Sequence, residues 1–169
     1  MPASPLIRPA TPADIPAILA LMQGLAEYEK LTHLFAATEA NLHTSLFGEH
    51  PAAHCLVAEN ETGTGLVAYA LWFQNYSTFL AKPGLYLEDL YVDPEQRGKG
   101  IGKALLLRLA AIALERGYGR FEWTVLDWNQ PAIDFYEGMG AQVLPEWRIV
   151  RVTGDALVEM GRKGANHGA

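Results

Sequence analysis

The chain has 169 residues, half of them apolar, and a formal net charge of -6. That length suits one soluble domain burying about two thirds of its unfolded surface, while the acid excess argues against nucleic acid as the main partner and suits a cationic one. No run approaches the roughly 20 apolar residues of a membrane span, the single Cys55 excludes an internal disulfide and reads as a small core residue, and five scattered histidines lack metal-ligand spacing, so no metal is expected.

The first residues, Met-Pro-Ala-Ser-Pro-Leu-Ile-Arg, have no basic stretch leading into an apolar core, so no secretory signal is read and a cytoplasmic location is expected. Leu6 to Arg8 reads as a short strand. Thr11-Pro12-Ala13-Asp14 opens a helix with a hydroxyl cap, a proline in the first turn and an acid three residues on. Ile15, Ile18, Leu19, Met22, Leu25 and Ala26 keep one face of it apolar, and Glu27 to Lys30 end it. Thr38-Glu39 starts a second helix that runs to about Phe47, before Gly48 and Pro51. His54 to Asn60 and Gly65 to Tyr76 read as antiparallel strands joined by Glu61-Thr62-Gly63-Thr64.

After Lys82-Pro83-Gly84 comes the central strand, bounded by Asp93-Pro94, then a glycine-rich turn and a long helix over Lys103 to Glu115 with Leu105, Leu106, Leu109, Ile112 and Ala113 on its buried side. Gly117 and Gly119 end that helix. Arg120 to Leu126 reads as a strand, Asn129 to Glu137 as a short helix closed by Gly138 and Gly140, and Gln142 to Leu144 and Trp147 to Val152 as two more strands. Gly161 to Ala169 reads as a frayed tail after one domain over residues 1–160. The central strand, long helix and Arg120 strand make a βαβ unit. The fold class is therefore mixed α/β, a mostly antiparallel sheet with one parallel pair and flanking helices.

The turn carries the chemistry. Gly98, Gly100 and Gly102 let backbone approach a ligand, and the helix behind them points its free N-H groups and dipole at the same place, which favours an anion such as a pyrophosphate. A P-loop is excluded, because Arg97 stands at its first glycine position and Ala104 at its hydroxyl position. A dinucleotide fingerprint is excluded because Lys103 stands where its third glycine belongs. A strand-to-helix turn with no ligand also fits the hexamer taken alone.

What remains, Arg97-x-x-Gly100-x-Gly102, resembles the acetyl-coenzyme A signature of the GNAT acyltransferase superfamily, and Leu126 to Tyr136, Leu-Asp-Trp-Asn-Gln-Pro-Ala-Ile-Asp-Phe-Tyr, resembles its second signature. With Tyr-Leu-Glu-Asp-Leu-Tyr-Val at residues 86–92 and Leu-Ala-Glu-Tyr-Glu at residues 25–29, the chain is similar to the spermidine/spermine (diamine) acetyltransferase branch over nearly its whole length.

The resemblance implies a GNAT fold, acetyl-CoA as cosubstrate, a small-molecule primary amine as acceptor and a homodimer. By matching positions it implies that Leu90, Tyr91 and Val92 face the pantetheine arm with backbone groups. Arg97, Gly98, Lys99, Gly100, Ile101, Gly102 and Lys103 would cradle the pyrophosphate, and Asn129, Gln130, Pro131 and Ala132 would flank the cofactor. Tyr136 matches the catalytic tyrosine. Tyr28, Glu29, Glu88, Glu122, Trp123 and Thr124 match positions lining the amine pocket. Read as residues alone, Tyr136 also suits an amphipathic core tyrosine, Glu88 a strand-face carboxylate and Glu29 a solvated helix end. The chain departs from the polyamine enzymes after Glu29, where Lys30-Leu31-Thr32-His33-Leu34-Phe35 replaces further acids. Diamines and lysine-like amino acids are then as suitable as polyamines.

An amine of this kind needs a proton acceptor, because a pKa near ~10.4 leaves roughly one molecule in a few thousand neutral at pH 7. Glu88, through water, is the candidate base, and Tyr136 the acid for the departing thiolate. Two alternatives stay open from sequence: a non-catalytic acyl-CoA-binding regulator on the same scaffold, and an acetyltransferase acting on a protein amino group.

Overall fold

The structure is a computed structural model and describes residues 5–165. The chain divides into two compact units, Met1–Thr124 and Val125–Ala169. In the first, β1 (Ile7–Pro9), β2 (His54–Glu59), β3 (Leu66–Ser77), β4 (Lys82–Val92) and β5 (Arg120–Trp123) form one sheet in that order. β1 to β4 pair antiparallel, and β5 lies parallel to β4. Helices α1 (Ile15–Tyr28), α2 (Glu39–Phe47) and α3 (Ile101–Glu115) complete the unit, and the expected fold class is borne out.

Alternation along the strands assigns the two faces. Cys55, Val57, Tyr69 and Tyr91 are buried with Ile15 and Ile18 of α1 and with Leu42 and Leu46 of α2. Ala68, Ala70 and Trp72, the alternate residues of β3, belong to the opposite face, where α3 packs on β2, β3 and β4. Leu105, Leu106, Leu109, Ile112 and Ala113 are all buried, as their spacing predicts, and each leucine contributes roughly 2 kcal/mol by leaving water. α3 is thereby fixed to the strand whose end it extends.

Two local departures from the sequence reading matter for the site. Lys82-Pro83-Gly84 is strand rather than connection, paired with Ser77, Tyr76 and Asn75. The turn falls earlier, at Ala81 with φ 52, and Gly84 lets both neighbouring strands approach closely, since a Cβ there would lie 2.5 Å from the Asn75 Oδ1 and 3.1 Å from the Arg120 carbonyl oxygen. Second, β4 carries a bulge: Asp89 pairs with Leu71 but Leu87 with Trp72, leaving Glu88 as the extra residue. The bulge puts Leu87 on the α3 face and Asp89 on the α1 face, although both would share a face in a regular strand.

The second unit holds α4 (Gln130–Gly138) and α5 (Gly154–Ala165). β5 ends at Trp123, three residues short of the expected Leu126, and the strands expected over Gln142–Leu144 and Trp147–Val152 are not formed. Their apolar pattern suits a strand, but strand formation depends on a partner more than on composition. The frayed tail expected from Gly161 is helical through Ala165. Asn166 to Ala169 and the leader reading at Met1 to Ser4 lie outside the described residues.

Candidate active site

Parallel pairing between β4 and β5 runs from Gly84–Arg120 to Leu87–Trp123 and stops there. Beyond it, Leu90, Tyr91 and Val92 pair with Ala70, Tyr69 and Ala68 on the β3 side. Their other edge, next to Glu88, pairs with no strand among the described residues. The C-terminal part of β4, from the bulge residue onward, thus keeps one edge without a strand partner among the described residues.

After Val92 the chain folds into a short 3-10 turn at Pro94–Gln96, capped by the Asp93 carboxylate, which accepts from the Glu95 N-H at 2.9 Å. Arg97 donates its Nε to the Val92 carbonyl at 3.0 Å, and Lys99 donates its Nζ to the Gln96 side-chain oxygen at 2.8 Å. Gly98 and Gly100 adopt φ 78 and φ 80, the left-handed region that glycine enters without penalty. Gly100 is the residue before α3, and no side chain caps the helix there. Ala104 is the first N-H to bond back along the helix, to the Gly100 carbonyl at 2.9 Å. The N-H groups of Ile101, Gly102 and Lys103 precede that ladder, which is the donor set an anion at a helix start needs. The space beside Gly98 and Gly100 is open, with no atom within 4 Å of a Cβ built at either. Side chains are therefore opposed at these two positions by backbone conformation and not by crowding.

Tyr28 ends α1 and Glu29 caps it, its N-H donating to the Leu25 carbonyl at 2.9 Å. The Arg97 guanidinium carbon lies 5.0 Å from the Tyr28 ring centre and 5.6 Å from that of Tyr91. Burial raises the Glu29 carboxyl above its usual range. Glu88 is exposed on the bulge. Glu122 is engaged within the sheet, accepting from the Asn75 Nδ2 at 2.7 Å and pairing with Arg120 at 3.1 Å. Trp123 is the last residue of β5, its ring 4.8 Å from that of Phe121, and Thr124 follows the strand.

Asp89 is a site-side residue that the sequence reading passed over. It accepts a hydrogen bond from the hydroxyl of the fully buried Tyr69 at 3.1 Å. Burial pushes its carboxyl up to about 6; the Tyr69 bond opposes this, and the negative charges of Glu88 and Glu29 add to it. Strict alternation would put Asp89 with Leu87, and the bulge that moves it to the Tyr69 face has no sequence signature. The Tyr69 hydroxyl is itself pushed up, by burial and by Asp89.

In the second unit, the Asn129 side chain caps α4 by accepting from the Ala132 N-H at 3.4 Å, with Pro131 in the first turn. Gln130 donates to Asp134 at 2.7 Å. Tyr136 lies on α4 with its ring 5.5 Å from that of Phe135. The expected helix is thus present with its cap, starting one residue later than Asn129 because Asn129 is the cap.

The chain is similar to known proteins in sequence and in fold. Residues 18–141 match the Acetyltransferase (GNAT) family. A thialysine N-epsilon-acetyltransferase from Sus scrofa is 42% identical over 170 residues, covering 95% of this chain and 99% of the relative. An L-ornithine N5-acetyltransferase from Arabidopsis thaliana is 38% identical over 194 residues, covering 89% of this chain and 85% of the relative. Among solved structures, an integron cassette protein from V. cholerae superposes with a TM-score of 0.77 at 26% identity, over 95% of this chain and 99% of its own. Acetyl-CoA is the cosubstrate of the family, and the uncapped helix start behind Gly98 and Gly100 fits its pyrophosphate. The family read from the two signatures is borne out: the chain belongs to the Acetyltransferase (GNAT) family and is an acetyltransferase.

Proposed function

We propose that this protein moves the acetyl group of acetyl-CoA directly to a primary amine of a small molecule, with a lysine-like amino acid or a diamine as the acceptor. The observation that carries this reading is the uncapped, glycine-lined start of α3 set directly behind a strand whose bulge presents Glu88. Acids gather on the same strand and at the end of α1: Glu88 and Glu29 both oppose ionisation of Asp89, and a cationic amine would relieve that repulsion. The relatives named for thialysine and ornithine support a short amino-acid acceptor. So does the segment after Glu29, where a short 3-10 turn at Thr32–Leu34 stands in place of further acids.

In this reading the N-H groups of Ile101 to Lys103, with Arg97 and Lys99, hold the pyrophosphate, and the free edge of Leu90 to Val92 holds the pantetheine arm and steadies the thioester oxygen. Bound acetyl-CoA supplies the thioester carbonyl that the amine attacks. Glu88 accepts the ammonium proton through water, and Tyr28 and Glu29 attract the amine. Glu122 is already engaged by Asn75 and Arg120, so its contribution is to fix the β5 end beside Trp123 and Thr124. Asn129, Gln130, Pro131 and Ala132 flank the cofactor, and Tyr136 protonates the departing thiolate; motif position is what supports these last roles. No step uses a metal, and a cytoplasmic homodimer completes the reading. Exposed apolar side chains such as Phe79 and Leu114 support the dimer.

The test is mass spectrometry after incubation with acetyl-CoA and a panel of thialysine, ornithine, lysine, diamines, spermidine and lysine-bearing peptides. One acetyl group is expected on the short amines first. Acetylation of peptides alone would replace this reading with one acting on proteins, and no acetylated product would remove it.

A further inference from the structure

Arg97 stands where two parts of the proposed site meet. It is the first residue of the phosphate turn, and its Nε is anchored to the Val92 carbonyl at 3.0 Å. Its guanidinium also lies 5.0 Å from the Tyr28 ring and 5.6 Å from the Tyr91 ring, both inside the roughly 6 Å over which a cation is drawn to an aromatic face. Tyr28 closes α1 and is followed by Glu29. Tyr91 is buried beneath the same helix, so closely that a Cβ at Gly24 would lie 2.6 Å from its hydroxyl. α1 is thus seated on β4 at Gly24, while its last residue rests on an arginine that belongs to the phosphate turn.

A guanidinium binds a ring through its face and an anion through its edge, so it holds both at once. A lysine at the same position keeps the charge and loses this division. Resting on the acetyl-transfer reading, we infer that Arg97 is a positioning residue that couples occupancy of the phosphate turn to the amine side of the site. An anion at the turn fixes the guanidinium, the guanidinium fixes the Tyr28 ring, and Glu29 is thereby held for the amine. Such coupling is reciprocal, so the amine must tighten coenzyme A by the same factor that coenzyme A tightens the amine.

Calorimetry of coenzyme A binding, with and without saturating thialysine or L-ornithine, whichever is turned over faster, reads that factor without turnover. In the parent protein the amine is expected to tighten coenzyme A about fivefold or more. Tyr28→Leu and Arg97→Lys are each expected to bring the factor close to one, Tyr28→Phe to keep most of it, and Tyr28→Leu with Arg97→Lys together to do no more than either alone. In steady-state kinetics, Tyr28→Leu then raises the amine KM while leaving coenzyme A affinity measured without amine unchanged. Equal factors in the parent, Tyr28→Leu and Arg97→Lys would overturn the inference, as would effects of the two changes that multiply. A parent protein that acetylates amines but shows a factor of one loses the coupling and keeps the function. One that binds no coenzyme A and acetylates nothing loses both.

Discussion

Helices α1 and α3 begin with the same shortage of partners for their first N-H groups and meet it differently. α1 follows directly on a 3-10 turn, Pro12–Asp14, whose backbone closes the start: the Asp14 N-H donates to the Thr11 carbonyl at 2.9 Å and the Ile15 N-H to the Pro12 carbonyl, while the Asp14 carboxylate accepts from the Thr11 N-H at 2.7 Å and is held by the Arg8 guanidinium at 2.7 Å and 3.0 Å. At α3 the corresponding residue is Gly100, with no side chain to offer and a left-handed φ of 80. One start is closed by its own sequence. The other is left open, where the proposed reading puts the pyrophosphate, and in that reading the difference separates a helix that anchors the fold from one that serves the site.

Closing the open start should have the largest effect. Gly100→Asp supplies a cap and a negative charge at a residue type that tolerates positive φ. Coenzyme A affinity by calorimetry is expected to fall roughly tenfold to a hundredfold, the worth of one or more charge-assisted hydrogen bonds. The melting temperature should stay near that of the parent. Unchanged affinity in this folded variant would remove the α3 start from the site. Gly100→Val should weaken binding as well, through backbone strain at φ 80 with open space around it.

Opening the closed start should cost stability and leave binding alone. Asp14 is buried against Arg8, whose side chain keeps 30% exposure, so Asp14→Ala is expected to cost about 2 to 3 kcal/mol, at or below the lower end for a broken buried pair. Arg8 holds the Asp14 carboxyl down at about 2. Because the folded value lies below the unfolded one, the stabilisation is present above about pH 4 and is lost as pH falls towards 2, and its full size is about 2 kcal/mol. Denaturant titrations between pH 2 and 6 should show this slope in the parent and not in Asp14→Asn. A coenzyme A affinity that falls with Asp14→Ala would contradict the division of labour between the two helices.

The smallest expected effect lies between them, at Asp89. Its folded value of about 6 is raised, so the folded state keeps a proton that the unfolded chain releases near ~3.9, and stability falls as pH rises from about 4 to 6. Asp89→Asn should flatten that window and gain on the order of 1 kcal/mol at pH 8. An unchanged pH dependence would mean that Asp89 titrates normally and is not held by Tyr69 and its acidic neighbours.

The same contrast explains what could be read from the sequence. Capping residues act locally, so Thr11 to Asp14, Thr38 and Asn129 were legible as helix starts, and Arg97 to Gly102 as a turn that lacks a cap. The apolar spacing of Leu105 to Ala113 is likewise a property of one helix. What escaped depended on partners far along the chain. The bulge at Glu88 appears only when β4 is paired with β3, and it is what turns Asp89 towards Tyr69. The hydrogen bond from Asn75 to Glu122 joins residues 47 apart. The apolar alternation of Trp147 to Val152 states a preference for a sheet without supplying its neighbour.

Amide hydrogen exchange of the two helix starts, with and without coenzyme A, tests the contrast most directly. Coenzyme A should slow exchange of Gly98 to Lys103 and leave Asp14 and Ile15, whose N-H groups are already held by the Thr11 and Pro12 carbonyls, unchanged. Protection that appears elsewhere while Gly98 to Lys103 exchange at their free rate, in a protein shown to be saturated with coenzyme A, would contradict the assignment of the α3 start as the pyrophosphate cradle.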